Sequence, residues 1–122
     1  MVAIHHTLGS MGTYYTFLMG LWGLFRYVRR QPPDGNFNGA LIIAQGLFTL
    51  QAIIGVVLVL LGQMPGQGLH FLYGASTFLA LPLAYTWARG RNDTRASLIY
   101  GLTLMFAWGL TLRAFDTALP LH

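Results

Sequence analysis

The sequence lacks cysteine, lysine and glutamate altogether, and it contains few charged residues of any kind. The absence of cysteine excludes disulfide bonds, thiolate metal sites, iron–sulfur clusters and covalent attachment of a c-type haem. Charged residues make up 8% of the 122 positions, whereas a soluble domain carries about 25%. Because 55% of the residues are hydrophobic, too little polar material remains to cover a water-facing surface. We therefore expect the protein to lie in a lipid bilayer.

Four apolar stretches, separated by short segments, make up most of the chain. They cover about residues 4–27, 39–62, 69–87 and 96–115. Each stretch is close to the ~20 residues that an α-helix needs to cross a ~30 Å hydrocarbon core. The separating segments are rich in residues that mark turns, and connections this short make neighbouring helices antiparallel. The sequence therefore predicts a single all-α domain over residues 1–122, an antiparallel four-helix bundle integral to the membrane.

The distribution of arginine predicts how this bundle is oriented. The net charge of +4 comes from seven arginines and three aspartates. Six of the arginines flank the first and third separating segments, namely Arg26, Arg29, Arg30, Arg89, Arg91 and Arg95. Cytoplasmic loops are enriched in basic residues, so we expect these segments inside and both chain termini on the non-cytoplasmic side. We expect a multi-pass protein of the inner (plasma) membrane of a bacterium, and the basic charges indicate topology rather than nucleic-acid binding.

Polar and small residues within the stretches indicate which faces turn inward. The amides of Gln45 and Gln51 would be costly against lipid, so we expect them to point into the bundle. Pro82 lacks a backbone N–H, which predicts a kink in the third helix and a free carbonyl near Phe78. Small residues let membrane helices approach closely, and the first stretch has them at every fourth position: Gly12, Thr16 and Gly20.

Two of the four histidines, His6 and His70, open the first and third stretches. His6 precedes Arg26 by 20 residues, and His70 precedes Arg89 by 19. At a rise of 1.5 Å per residue, both histidines stand about 30 Å from the cytoplasmic surface, at matching heights. Two imidazoles at one height on two parallel helices match the arrangement that ligates a haem iron from both sides. We therefore predict haem b as the cofactor, with His6 and His70 as the metal ligands.

Residues near the two histidines suit a flat macrocycle. Gly9 and Gly74 lie about one turn further along their helices and leave room for a porphyrin close to the backbone. Arg113, near the non-cytoplasmic end of the fourth stretch, can pair with a haem propionate, and Asp116 is an alternative partner for it. These two glycines and the arginine are predicted to bind the cofactor. His5 lies about 100° round the helix from the predicted ligand and is a substitute for it.

Simpler interpretations stay open for several of these residues. A histidine near a membrane surface is often an amphipathic interfacial residue that binds nothing. His122 is terminal, and we expect it to be solvated. Met64, in the second separating segment, is near the height of the histidines and is a further ligand candidate.

Three short segments together resemble one four-helix module of the heme A synthase family. They are His6-Thr-Leu-Gly9, the helix with Gln51-Ala-Ile-Ile-Gly55, and His70-Phe-Leu-Tyr-Gly74-Ala75. The resemblance covers roughly the first three helices, and it implies that the two histidine helices hold a haem between them. The chain departs from the family because it has no glutamate, one module instead of two, and a fourth helix that follows the second histidine helix. The resemblance therefore implies a haem-holding scaffold and does not imply heme A synthesis.

Two functions follow from these observations. The first is a small bis-histidine b-type cytochrome in electron transfer or haem handling, not an enzyme by itself, whose partner is a quinone, a redox protein or a second copy in a homo-oligomer. The second is a non-catalytic accessory subunit of a larger respiratory or photosynthetic membrane complex, binding pigment or lipid. A transporter is disfavoured because the centres of the four stretches contain no ionisable residue.

Overall fold

The computed structural model describes residues 2–63, 68–91 and 93–118, with side chains from residue 3 to residue 114 outside the two gaps. Every regular element in these residues is an α-helix, so the all-α prediction is confirmed. The helices are α1 (Val2–Val28), α2 (Gly35–Leu60), α3 (Leu69–Ala88) and α4 (Thr94–Ala118). They correspond one to one with the four predicted apolar stretches, with ends shifted by up to four residues.

The largest shift is at the start of α2, four residues before the predicted one. Asp34 is the N-cap of this helix, and its carboxylate accepts a hydrogen bond of 2.8 Å from the Phe37 N–H. A capping carboxylate satisfies one of the N–H groups that the first turn leaves without a partner. Arg26, at the end of α1, holds the preceding turn, because its Nε donates to the Pro32 carbonyl at 3.1 Å and its Nη1 lies 3.6 Å from Asp34.

The opposite end of α2 and the start of α4 are also set by local chemistry. α2 ends at Leu60, two residues earlier than predicted, and Gly62 follows with a φ of +84°. Glycine adopts this left-handed conformation without the steric cost that other residues carry. At α4 the Asp93 carboxylate accepts a hydrogen bond of 2.9 Å from the Ala96 N–H, which is again an N-cap contact.

The closest packing in the described residues is between α1 and α4. A Cβ atom built on Gly101 would lie 2.8 Å from the Leu24 nitrogen, and one built on Gly23 would lie 2.9 Å from the Gly101 Cα. The two backbones can meet at this distance only because neither glycine has a side chain. Residues further along α1 contact residues nearer the start of α4. The contacts are Thr13 to Thr111, Phe17 to Trp108 and Gly23 to Gly101. These two helices therefore run in opposite directions.

The other helices complete a four-cornered arrangement. α1 packs against α2 and α4, and α3 packs against the same two helices, so α1 and α3 occupy opposite corners. Phe37 is fully buried in the core, where its ring lies 5.0 Å from that of Trp22 and 6.4 Å from that of Tyr100. The Tyr15 hydroxyl donates a hydrogen bond of 2.8 Å to the Ala40 carbonyl, which ties α1 to α2.

Gln45 and Pro82 meet across the interface between α2 and α3. Pro82 lies inside α3, and the Phe78 carbonyl four residues earlier accepts a hydrogen bond of 3.0 Å from Gln45 Nε2. A proline removes the N–H that would otherwise bond this carbonyl, so the amide supplies the missing donor. The expectations of an inward Gln45 and of a carbonyl freed near Phe78 are thereby confirmed.

Two of the described helices are long and apolar enough to cross a membrane. They are α2, with a mean hydropathy of 2.2 in its most apolar window, and Thr94–Ala114 of α4, with 1.2. A core helix of a soluble protein can pass the same criterion, but such a helix is mostly buried. Only 22% of the α2 window is buried inside the protein, against 50% of the α4 window. Of the four predicted membrane spans, two thus correspond to described helices that are long and apolar enough to cross a membrane.

Substitution of Gly101 by alanine is expected to destabilise the fold by about 1–3 kcal/mol, the usual cost of forcing an extra group into a well-packed interface. Gly109→Ala is the matched control on the same helix, because a Cβ there would meet nothing within 4 Å. The control is expected to be neutral or up to about 1 kcal/mol more stable, since alanine favours a helix over glycine. Thermal unfolding followed by circular dichroism measures both. Equal melting temperatures for the two variants would contradict the close approach at Gly101.

Candidate functional site

Two histidines meet at the end of the bundle where α1 and α3 begin. The ring of His5 on α1 lies 6.2 Å from the ring of His70 on α3, measured between centres, and the ring planes make an angle of 68°. Because α1 and α3 occupy opposite corners, the two side chains reach toward each other across the space between the helices. Both are half-buried.

His70 is held in one orientation by α4. Its Nδ1 lies 2.8 Å from the backbone carbonyl oxygen of Ala114. A carbonyl oxygen can only accept a hydrogen bond, so Nδ1 must carry the proton and donate it. In the neutral ring the lone pair then lies on Nε2. Metal-binding histidines are typically oriented in this way, by a hydrogen bond from the nitrogen that does not bind the metal.

His5 is positioned by α2. A Cβ built on Gly55 would lie 3.5 Å from the His5 Cε1, so the ring lies directly over this glycine. The side chain of Gln51, one turn earlier on α2, faces the same ring. Nδ1 of His5 and Oε1 of Gln51 are both buried, and neither has a hydrogen-bond partner within the part of the chain that the structure describes. A buried polar atom without a partner costs free energy, and a bound group at this place would remove that cost.

His6, the predicted partner of His70, points elsewhere. It is exposed, as expected for a residue about 100° round the helix from one that faces inward. Its backbone carbonyl accepts a hydrogen bond of 3.2 Å from the Ser10 hydroxyl one turn later. The histidine that lies against His70 is thus His5, which the sequence had favoured only as a substitute.

The two predicted glycines lie one turn beyond the histidines, as their spacing requires. Gly74 is exposed on α3, and a Cβ built there would meet nothing within 4 Å. Gly9 lies four residues after His5 on α1, and its carbonyl accepts a hydrogen bond of 3.0 Å from the Thr13 hydroxyl. Gly74 therefore lies at the surface of α3, and its Cβ direction faces away from the other described residues.

Arg113 lies at the same end of the bundle, on α4. Its guanidinium carbon is 5.7 Å from the centre of the Tyr73 ring on α3, which is within range of a cation–π interaction. The side chain is exposed. The alternative partner Asp116 lies outside the described side chains, and Met64 and His122 lie outside the described residues. The contact that Arg113 makes in this part of the structure joins α4 to α3 close to His70.

The spacing of the two rings is compatible with one metal ion between them. An imidazole nitrogen binds a transition metal at about 2.0 Å, so two rings that ligate one ion from opposite sides have centres about 6 Å apart. The observed 6.2 Å agrees with that value. Within the described residues there is no group of three or more His, Cys, Asp or Glu side chains that could hold a metal ion. A haem needs only two protein ligands, because the porphyrin supplies the other four.

Comparison with known proteins identifies no relative. No protein-family model matches the chain, and no curated protein or solved structure matches it. The resemblance to a heme A synthase module therefore stays a prediction from the quoted residues.

One signal in the sequence marks the surface of α2 on which the His5 ring lies. Gln51 and Gly55 are four residues apart on α2 and therefore share one face. A polar residue and a glycine on one helix face mark a place where a side chain from another helix can be received.

The hydrogen bond to Ala114 predicts which nitrogen of the neutral His70 ring carries the proton. Its neutral ring is expected to be the Nδ1–H tautomer, because the carbonyl accepts the proton held by that nitrogen. Nitrogen-15 NMR of ring-labelled protein in alkaline buffer distinguishes the two tautomers of the neutral ring. The signal is assigned by its loss in His70→Gln. An Nε2–H tautomer would show that the bond to Ala114 is not made.

Proposed function

We propose that the protein is a four-span membrane protein. The support is the exposed surface, since large apolar side chains are exposed on every helix, for example Ile4, Ile42, Leu72 and Phe106. Monomeric soluble proteins rarely expose contiguous apolar surface on this scale. A bilayer covers such a surface without any further partner, which also accounts for the small fraction of α2 that is buried.

In this proposal the bundle is antiparallel, and both termini are non-cytoplasmic. The support is that the start of α1 contacts the later part of α2, and the later part of α1 contacts the start of α2. His5 lies beside Gly55, and Trp22 lies beside Phe37. The turn after α1 and the turn after α3 carry most of the arginines, at the end away from the histidine pair. The positive-inside rule puts that end in the cytoplasm, and the inner membrane of a bacterium is the proposed location.

This orientation is testable because the natural chain has no cysteine. A single cysteine introduced at Gln63, exposed in the α2–α3 connection, is expected to react with a membrane-impermeant maleimide added to intact spheroplasts. A cysteine at Asn36, exposed at the start of α2, is expected to react only after the membrane is opened. The reverse pattern would overturn the proposed orientation, and labelling of both from outside would overturn the membrane location.

We propose further that the chain binds haem b between His5 and His70, as a bis-histidine cytochrome. The observation that carries this proposal is the pair of rings 6.2 Å apart, of which the His70 ring is oriented by the bond from its Nδ1 to Ala114. Gln51 lies beside His5 on α2, where its amide can orient the imidazole ring. The donor set fits a haem, since two neutral imidazoles are its common axial ligands in electron-transfer proteins.

The residues around the pair have definite tasks in this proposal. Ala114 orients the His70 ring, and Gln51 is placed to bond the second nitrogen of His5 when that ring turns onto the metal. In this proposal Gly74 would leave room for the macrocycle, and Arg113 would pair with a propionate at the exposed end of the bundle. The haem supplies one-electron redox chemistry. His5 and His70 would hold the haem, and the protein would then exchange electrons with a quinone or a redox protein.

A second function, an accessory subunit of a larger membrane complex, is favoured by the outer face of α2. Gly39 and Gly46 lie on this helix, and a Cβ at either would meet nothing within 4 Å. Small residues on a membrane helix are the usual point of close contact with another helix. Stoichiometric co-purification with other membrane proteins, together with a colourless protein, would favour this function over the first.

The visible spectrum of the detergent-purified protein, with and without dithionite, tests the haem proposal. The protein is expected to be red and to show the split absorption bands of a six-coordinate low-spin haem on reduction. His70→Ala and His5→Ala are each expected to abolish this low-spin spectrum, because one axial ligand is lost. His6→Ala, a neighbouring exposed histidine, is the matched control and is expected to keep it.

The outcomes separate the alternatives sharply. Loss of the low-spin bands in His6→Ala with retention in His5→Ala would restore the ligand pair predicted from sequence and overturn the one proposed here. Circular dichroism of each variant distinguishes loss of haem from loss of the fold. A correctly folded, colourless protein that takes up no added hemin would overturn the cytochrome proposal altogether.

A further inference from the structure

The end of the bundle opposite the histidines carries a concentration of exposed positive charge. Its two acidic groups are engaged locally, since Asp34 caps α2 beside Arg26 and Asp93 caps α4. Five arginines at this end are exposed, namely Arg29, Arg30, Arg89, Arg91 and Arg95. The charge is therefore not neutralised by acidic side chains in the described part of the chain.

An open cavity of about 430 Å³ lies within this end, lined by Tyr27, Val28, Arg30 and Thr94. It is formed where the end of α1 meets the start of α4. Its walls combine an arginine with apolar surface, because Val28 is 77% exposed and Tyr27 is also exposed. A groove with a cation at one side and apolar side chains at the other suits a ligand that is itself anionic at one end and apolar at the other.

The backbone at Arg30 adopts an unusual conformation, which an arginine at the end of α3 shares. Arg30 has a φ of +56°, and Arg89, at the corresponding end of α3, has the same value. This left-handed conformation costs a residue with a Cβ about 1–2 kcal/mol, and glycine is the usual residue where a helix ends in this way. At both positions the chain carries an arginine in place of the residue that would fit the backbone best.

We propose that the groove of Tyr27, Val28, Arg30 and Thr94 binds the headgroup of an anionic phospholipid. The guanidinium of Arg30 pairs with the phosphate, for which its planar fork of donors is well suited. Tyr27 and Val28 lie against the first part of the acyl chains, and the Thr94 hydroxyl is a further hydrogen-bond donor. Basic pockets between helices at the cytoplasmic surface are the places where such headgroups bind.

The proposal rests on the membrane location proposed above but not on the haem. A soluble anion could pair with the same guanidinium, but it would gain nothing from the exposed valine and tyrosine beside it. A nucleic acid would need a basic surface that extends away from the bilayer, whereas these arginines lie on two short turns. The apolar wall of the groove is therefore what favours a lipid.

The test measures the affinity of the full-length protein, in detergent, for dioleoylphosphatidylglycerol, with dioleoylphosphatidylcholine and inorganic phosphate as the comparison ligands. The wild-type protein is expected to bind the anionic lipid more tightly than either. Arg30→Gly is expected to weaken that binding about fivefold or more, the effect of one basic residue near an anionic surface. The melting temperature of this variant in phosphatidylcholine is expected to be unchanged or higher, because glycine relieves the left-handed backbone.

Two further variants separate the groove from general surface charge. Arg89→Gly removes the same charge and relieves the same conformation outside the groove, and its affinity for the anionic lipid is expected to stay within about twofold of wild type. Arg30→Gln keeps a polar side chain with a Cβ atom and removes the charge, and it is expected to bind as weakly as Arg30→Gly. The Gln variant therefore reports on the charge even if the glycine variant were to fold poorly.

Equal weakening by Arg30→Gly and Arg89→Gly would overturn the proposal, because it would show diffuse electrostatic attraction without a site. Undiminished binding in Arg30→Gln would also overturn it. Competition by inorganic phosphate at concentrations similar to those of the lipid would show a site for free anions and overturn the assignment to a lipid. The visible spectrum of each variant is recorded in parallel, so that failure of the haem proposal and failure of the lipid proposal are distinguishable.

Discussion

The close approach of α1 and α4 at Gly23 and Gly101 is the contact on which the rest of the structure depends. A Cβ at either glycine would come within 3.0 Å of backbone atoms of the other helix, so this pair sets the distance between the two helices. The seam continues to Thr13 and Thr111, whose hydroxyls are 3.0 Å apart. Because α4 also packs against α3, a fixed α1–α4 pair positions the third helix as well. The carbonyl of Ala114, one turn beyond Thr111, then meets His70.

Polar groups inside the bundle are mostly paired with backbone carbonyls, and the exceptions are informative. The hydroxyls of Thr16 and Thr77 donate to carbonyls one turn earlier on their own helices. These hydroxyls therefore need no hydrogen-bond acceptor on a neighbouring helix. Gln45 bonds across to α3 through its Nε2, although its Oε1 stays without a partner in the described residues. The other two orphaned atoms belong to His5 and Gln51, which face each other. Among the described residues, the buried polar atoms without a hydrogen-bond partner thus lie on α2 and near the histidine end of the bundle.

Sequence patterns identified the helices and, separately, the two partners of one interhelical hydrogen bond. Hydropathy locates a helix where apolar residues begin, but the first turn of α2 contains Gly35, Asn36 and Asn38, and only the Asp34 cap signals its start. Pro82 frees the carbonyl at Phe78 by its chemistry, but the sequence did not predict that Gln45 is the donor that pairs with it. The choice between His5 and His6 depends on the rotation of α1, which side-chain packing at the seam decides. The contact to Ala114 was not predictable, because a backbone carbonyl has no signature in the sequence.

The uneven packing of the bundle is what makes a cofactor site at the histidine end physically reasonable. A porphyrin needs ligands held at a fixed separation and space into which a plate can enter, and these requirements oppose each other in a uniformly packed bundle. Here α4 fixes the separation of the two histidine-bearing helices, because it packs against α1 and its Ala114 carbonyl bonds to His70. α2 has less contact with its neighbours, since 22% of its most apolar window is buried against 50% of that of α4. A shift of α2 at the Gln51 and Gly55 level would open space beside His5 while the α1–α4 seam keeps the two imidazole-bearing helices in place.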